Sequence, residues 1–342
     1  MIRKFACVTF LVGVISSDAT AAVQQVTSGS DLDYQAAILR ASSDGARIVV
    51  FERLDASFFG NLWLTRSTDE GQSWSTPAPI IATAANERHP ALVETSPGAY
   101  TLFYLKGSGS SSSYRLWRAT SSDGANFTEQ GMLDLGWASG GEVNPHVIRH
   151  VDGTLTMSYQ RLSGGVHVAE SNDGGVSWDQ QKTVINAGGQ LPRIAFRESD
   201  GLYLASYQTG STALQMWVKT TSNLRDWSVP AQAFAASGNN HDSLPTVMPD
   251  NALVLFWIRE ANGQFDIVTR RSTDGLNWGS DIPVTTTVGE NDVEPHPLIG
   301  DSPGVVELYW GRETPLGSND YDIVRDGSVL ILDLILADGF DQ

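Results

Sequence analysis

The segment Ser67-Thr-Asp69-Glu-Gly71-Gln-Ser-Trp74 decides the fold, because the chain repeats it. Its echoes are Ser121-Ser-Asp123-Gly-Ala-Asn-Phe127, Ser171-Asn-Asp173-Gly-Gly175-Val-Ser-Trp178, Thr221-Ser-Asn223-Leu-Arg-Asp-Trp227 and Ser272-Thr-Asp274-Gly-Leu-Asn-Trp278. The closing aromatics follow one another at intervals of 53, 51, 49 and 51 residues. Each segment reads as a tight hairpin. The Asp side chain accepts backbone N–H groups inside the turn, Gly takes a positive φ, and the aromatic packs back onto its own sheet.

A second echo lies between the first ones. Pro90, Pro145, Pro192, Pro245 and Pro297 each begin a short apolar strand, and a turn follows at Gly98, Gly153, Gly201, Asn251 and Gly304, with Gly45 in the first unit. Six residues after each turn stands an aromatic: Phe51, Tyr104, Tyr159, Tyr207, Trp257 and Trp310. Tyr104, Tyr159, Tyr207, Trp257 and Trp310 read as packing between units. Six units of four strands predict an all-β chain, a six-bladed β-propeller with four-stranded antiparallel blades and Asp-box turns. The blades fall approximately at 31–83, 84–136, 137–187, 188–236, 237–287 and 288–336, within one domain at 22–342. Residues 328–336 read as the outer strand of blade six, and the pattern leaves open whether 22–29 adds a strand that closes the ring.

Lys and Arg number 22 against 39 Asp and Glu, a net charge of −17, while a hydrophobic fraction of 41% is enough to fill a large core. Such acidity argues against nucleic acid and anionic membrane surfaces as partners, so an anionic ligand must meet a local cluster of cations. The start of the chain has its own signature. Arg3 and Lys4 precede an apolar run from Phe5 to Ile15, and Ala19-Thr-Ala21 supplies small residues at the exit. This predicts a signal peptide over 1–21, too short to span a bilayer, and a secreted protein, extracellular or periplasmic. Its removal shifts the charge to −18 and takes away Cys7, the only cysteine. Disulfides, thiolate metal sites and a cysteine nucleophile are thereby excluded from the mature chain.

Numbering the strands of a blade A to D from the axis outward, the start of A and the end of B share one face, and the Asp turns lie on the other. At the B ends stand Arg53, Lys106, Arg161, Thr209, Arg259 and Arg312; at the A starts lie Arg88 and His89, Asn144 and His146, Gln190 and Arg193, His241 and Asp242, and Glu294 with His296. Arg53, Arg88, His146, Arg161, Arg193, His241, Arg259 and Arg312 are accordingly candidate substrate-binding groups, since a guanidinium fork holds a carboxylate bidentately. The competing reading of the B-end cations is that they pair with acids of the neighbouring blade. Gly107 to Ser113, Gly-Ser-Gly-Ser-Ser-Ser-Ser, is a B–C loop of blade two bordering this face. No spacing of metal ligands occurs, and no cofactor is implied.

The Ser-x-Asp-x-Gly-x-x-Trp turns resemble Asp boxes, and over roughly residues 31 to 330 the chain resembles the sialidase superfamily of six-bladed propellers. The resemblance implies that the boxes are structural clasps opposite the active face. It further implies a triad of arginines for the substrate carboxylate, a tyrosine nucleophile assisted by a glutamate, and an aspartic acid/base. Phe51-Glu52-Arg53 resembles the blade-one run that leads to the first box, which makes Asp55 and Glu52 catalytic candidates, with Tyr207 and Asp242. The chain departs from the family's Arg-Ile-Pro at the start of blade one, where Tyr34-Gln35-Ala36-Ala37 puts Gln35 in place of the arginine. Arg88, two residues before Pro90, has that spacing one blade later. Three functions follow: an exo-glycosidase on an anionic, sialic-acid-like terminal sugar, a lyase on uronate-containing polysaccharides, or a non-catalytic propeller that binds glycan or protein.

Overall fold

The computed structural model describes residues 23–211, 213–233, 239–300 and 304–331. The proposed leader and the tail from 332 onward fall outside them. Among the described residues, twenty-three strands fill six antiparallel sheets. Blade one contains β2 (Leu32–Arg40), β3 (Arg47–Leu54), β4 (Gly60–Ser67) and β5 (Ala78–Ile81). Blade two contains β6 (Asn86–Ser96), β7 (Ala99–Gly107), β8 (Arg115–Ser121) and β9 (Thr128–Met132). Blade three contains β10 (Glu142–Arg149), β11 (Leu155–Arg161), β12 (Gly165–Ser171) and β13 (Thr183–Asn186).

Blade four has β14 (Gln190–Arg197), β15 (Leu202–Thr209) and β16 (Gln215–Thr221), with its outer edge marked by a bridge between Val218 and Ala231. Blade five contains β17 (Asn239–Val247), β18 (Leu253–Ala261), β19 (Gln264–Ser272) and β20 (Ile282–Pro283). Blade six is built from both ends of the chain: β21 (Asn291–Ile299), β22 (Val305–Glu313), β23 (Tyr321–Leu330) and, outermost, β1 (Gln24–Gln25). The innermost strands β2, β6, β10, β14, β17 and β21 touch in succession, and β21 touches β2, so the ring is closed.

The closure corrects the reading of 328–336 as an outer strand. Ser328 to Leu330 belong to the third strand, β23, and the fourth is the amino-terminal β1. Pairing β1 with β23 ties both ends of the chain into one blade and so holds the ring closed. Thr27 Oγ1 accepts the Ile323 N–H at 2.9 Å, and Gln25 Nε2 donates to Asp322 at 2.8 Å.

The core is divided by seam. Each of six clusters joins two neighbouring blades; Ile48 and Val50 of blade one, for instance, meet Leu102 and Tyr104 of blade two. Phe51, Tyr104, Tyr159, Tyr207, Trp257 and Trp310 are all at most 1% exposed, so the recurring aromatic is packing between blades. In the Asp turns, Ser67 Oγ donates to Asp69 Oδ1 at 2.8 Å and accepts the Gly71 N–H at 2.8 Å; Ser121, Ser171 and Ser272 repeat this. Gly175 shows why glycine is needed there: at φ +84° its missing Cβ would lie 2.4 Å from the Phe103 ring of the previous blade.

Candidate functional site

Every innermost strand carries a β-bulge near its start, and each bulge holds a non-glycine residue in the left-handed region: Gln35 (φ 42°), His89 (52°), Asn144 (53°), Leu191 (46°), Asp242 (49°) and Glu294 (55°). Such residues are strained by about 1 kcal/mol or more each, and here the strain recurs six times around one axis. A bulge also frees an N–H from the ladder. Three of these are taken by the preceding blade: His89 N–H donates to Glu52 at 3.0 Å, Leu191 to Gln160 at 3.2 Å and Asp242 to Gln208 at 3.1 Å. Glu52, Gln160 and Gln208 each directly follow the blade aromatic, so one repeated position braces the next blade's bulge.

The bulges surround a cavity of about 180 Å³ on the axis, whose polar lining includes Gln35, His89, His146, Arg193, Asp242 and Glu294. Pro90, Pro145 and Pro295 supply its stiff apolar wall. In blades five and six the proline alignment read from sequence is displaced by two: Ser243 and Pro295 stand where Pro90, Pro145 and Pro192 stand, and Pro245 and Pro297 lie further along the strand. The same register places Tyr34, not Gln35, opposite Arg88 in the repeat, so a tyrosine occupies the arginine's place in blade one.

Charge in the cavity is sparse. Arg193 donates to the Pro192 carbonyl at 3.1 Å and, among the described residues, forms no ion pair. Burial, then the nearby Asp242 charge, pushes the Glu294 carboxyl up to about 8, against the lowering effects of Arg193 and of Gln35, whose Nε2 donates to Glu294 at 3.2 Å. His241 Nδ1 bonds Asp242 Oδ2 at 2.9 Å. Burial also holds His89 and His296 down to about 4 and His146 well below the usual imidazole range, so all three are neutral at pH 7. Burial, then Glu294, raises the Tyr34 phenol. Two buried atoms of the lining, His89 Nδ1 and Asp242 Oδ1, have no hydrogen-bond partner among the described residues. Unsatisfied buried groups are uncommon in folded proteins, and these two belong to residues that line the axial cavity.

The B-end cations are not part of this cavity. Arg53 forks onto Asp33 (2.6 and 2.8 Å), Arg161 meets Glu142 (2.8 Å), and Arg312 forks onto Asp292 (2.7 and 3.0 Å). Lys106 lies 3.5 Å from Glu87 and 2.7 Å from Glu129, and Arg259 pairs with Asp281. In four blades the partner is the directly opposed residue on the A strand of the same blade, not an acid of the neighbouring blade. Arg53 and Arg161 also lie over Trp63 and Trp137, at 4.4 and 4.3 Å. A sequence signal existed for this pairing: Asp33 to Arg53, Glu87 to Lys106, Glu142 to Arg161 and Asp292 to Arg312 recur at spacings of 19 or 20.

The other candidates divide. His146, Arg193 and Asp242 line the cavity, and His241 stands behind Asp242. Arg88 is bound to the fully buried Glu52 at 2.6 Å, so that pair clasps blades one and two. Tyr207 is packed in the seam of blades three and four, its hydroxyl accepting from Asn186 at 3.1 Å, away from the cavity lining. Asp55 is exposed in the loop after β3, where its Oδ1 accepts the Ser57 and Phe59 N–H groups at 2.7 and 3.0 Å. Glu294 was placed at an A start by the sequence but not singled out; its burial beside a second carboxylate became visible only in three dimensions. Among the described residues no three His, Asp or Glu side chains are grouped to hold a metal ion, and no helix is long and apolar enough to cross a membrane.

Comparison with known proteins agrees with this architecture. A family model described as a BNR repeat-like domain matches residues 61–285, more than half of the chain. No curated protein matches the sequence. Among solved structures, a Dyadobacter fermentans protein described as of unknown function superposes with a TM-score of 0.74 at 12% identity, covering 91% of this chain and 98% of that one. The Trypanosoma rangeli sialidase in complex with the inhibitor DANA gives 0.67 at 12% identity, covering 90% of this chain but 57% of its own length. A mutant NanB sialidase of Streptococcus pneumoniae gives 0.67 at 10%, covering 92% and 71%. At such identities the likeness establishes the six-bladed propeller fold and nothing about chemistry.

Proposed function

The chain belongs to the BNR repeat-like domain family, and from that premise we propose that it is an exo-acting glycoside hydrolase whose axial cavity takes one terminal sugar bearing a carboxylate. The observation that carries this reading is Arg193, without an ion pair among the described residues, in the same cavity as Asp242 and Glu294. A cavity of about 180 Å³ is below the span of roughly 300–1,000 Å³ usual for drug-sized ligands, which suits one sugar ring and not a polymer lying across the axis.

Arg193 holds the sugar carboxylate. Glu294, protonated up to about pH 8, delivers a proton to the leaving oxygen, and Asp242, kept in place by His241 and by Gln208 through its N–H, is the second carboxylate that glycoside hydrolysis requires. This division of labour differs from the arginine triad and tyrosine nucleophile that the sialidase resemblance implies: among the described residues a single arginine lines the cavity, and two carboxylates take the acid and base roles. Export through the 1–21 leader would bring such an enzyme to extracellular or periplasmic glycans.

Release of fluorophore from umbelliferyl sialosides and uronides tests the proposal. Glu294→Gln is expected to lower kcat by roughly 10²–10⁴ with little change in KM. Absence of release from every glycoside would overturn it. One observation favours a second reading: three neutral histidines sit beside Arg193, an arrangement able to abstract a proton next to a neutralised carboxylate. Appearance of an unsaturated uronate from uronate polymers would install that lyase reading instead; binding on glycan arrays without turnover would leave a lectin-like propeller.

A further inference from the structure

The cavity holds one ring, so the remainder of any glycan must leave across the rim, and the rim is not uniform. The loop after β3 lifts Phe58 into solvent at 62% exposure and, unusually for an aromatic, at φ +61°. Asp55 fixes that conformation: its carboxylate accepts the N–H groups of Ser57 and Phe59, and its carbonyl accepts that of Phe58. A strained, solvent-facing aromatic clamped by three hydrogen bonds has no packing role.

The adjoining Phe59 leans on the Gly-Ser loop of blade two, where a Cβ on Gly109 would come within 2.9 Å of its ring. Beyond that contact the same face opens into a groove of about 420 Å³ lined by Ala84, Ala85, Gly107, Ser108, Trp117 and Met132. Its two cations are already engaged: Lys106 meets Glu87 (3.5 Å) and Glu129 (2.7 Å), while Arg115 (3.1 Å) shares Glu142 with Arg161 (2.8 Å), so three cations face three carboxylates. The groove is therefore apolar-floored, with its charges balanced.

We propose that Phe58 and the blade-two groove form a distal subsite that receives the neutral sugars following the terminal residue. Phe58 stacks on the apolar face of the second ring, and the groove takes the next one against Trp117 and Met132. Neutral hexose units fit this surface because their hydroxyl-poor faces match aromatic and thioether groups, while no unpaired charge awaits an anion. The proposal rests on reading the axial cavity as a glycan site.

The test compares sialyllactose with free sialic acid, and a glucuronate-ended tetrasaccharide with free glucuronate, by calorimetry on the full chain. Phe58→Gly suits the left-handed backbone, so its melting temperature should hold or rise, while affinity for the oligosaccharide falls roughly three- to tenfold and that for the monosaccharide stays unchanged. Ala84→Trp, which fills the groove without removing a contact, should weaken only the longer ligand. Unchanged oligosaccharide affinity in both variants, with the monosaccharide still bound, overturns the subsite and leaves the axial site standing. If wild-type protein binds none of the four sugars, the subsite and the axial reading fall together.

Discussion

Two rings of charged residues lie on the same face of this propeller, one at the B ends and one at the axial bulges, and they behave oppositely. In the outer ring Arg53, Lys106, Arg161 and Arg312 each face a buried carboxylate on the paired strand, in register and blade after blade. In the inner ring the six equivalent positions are Gln, His, Asn, Leu, Asp and Glu, with no repeated chemistry, and Arg193 nearby has no ion pair among the described residues. A duplicated unit copies what keeps it folded. What the chain does is found where the copies differ while the backbone strain remains.

The hardest test of that contrast removes one outer carboxylate. Asp292 is 1% exposed at its side chain and accepts from Arg312 twice and from the Trp310 indole at 2.6 Å. Asp292→Ala strands both donors and should cost about 3–5 kcal/mol, read as a lower urea midpoint at constant slope. A loss below about 1 kcal/mol would mean that the outer ring is not structural.

The matching change inside is Arg193→Met. No ion pair is broken among the described residues, so stability should stay within about 1 kcal/mol of the parent or rise. Binding of a carboxylate sugar should fall roughly ten- to a hundredfold, the value of a charged hydrogen-bonded pair. Because Arg193 lowers both groups, the His296 titration should move up from about 4 and that of Glu294 should climb above about 8, both visible by NMR. An equal fall in stability and affinity would erase the distinction between the rings.

The uneven legibility of the two rings has a physical basis. The Asp turn is local chemistry within eight residues, so blade number and strand order follow from sequence. The B-end cations were visible as a set, but the sequence weighed ligands against the neighbouring blade and passed over the partner 19 or 20 residues upstream in the same blade. Ring closure by β1 joins residues nearly 300 apart, and nothing in Gln24–Gln25 announces it. The bulge is a backbone event marked by Pro in some blades and by Ser243 or Ala36 in others, which is why Pro245 and Pro297 misled the register. Glu294 looks like any acidic residue until the fold buries it beside Asp242.

That burial gives the inner ring a pH signature. Glu294 has a folded pKa near 8, above its unfolded value of about 4.5, so its protonated form favours the native state and stability falls as pH rises from 4.5 to 8. His89 and His296, held near 4 and below their unfolded value of about 6.5, act in the other direction, adding stability as pH rises from 4 to 6.5. The two effects oppose each other up to 6.5, above which Glu294 acts alone. Between pH 6.5 and 8 the wild type should lose up to about 2 kcal/mol that Glu294→Gln retains. Parallel melting curves for the two proteins across that window would show that the carboxyl is ionised throughout.

On the opposite face the Asp boxes supply a smaller and finer test, since blade four already contains a natural variant. Asp274 Oδ2 accepts from Asn277 Nδ2 at 2.6 Å in blade five, as Asp123 does from Asn126 in blade two at 2.7 Å. In blade four the same hydrogen bond runs the other way, from Asn223 Nδ2 to Asp226 at 2.8 Å, while Oδ1 still accepts the N–H groups of residues 225 and 226. Acid and amide have exchanged places with the turn intact. Asp274→Asn alone brings two amides together and should cost about 0.5–1 kcal/mol, seen as a small fall in melting temperature. Adding Asn277→Asp recreates the blade-four pair and should restore most of it, a coupling measurable in a double-mutant cycle. Additive losses would mean that the side-chain pair contributes nothing and that the backbone N–H groups alone hold the turn.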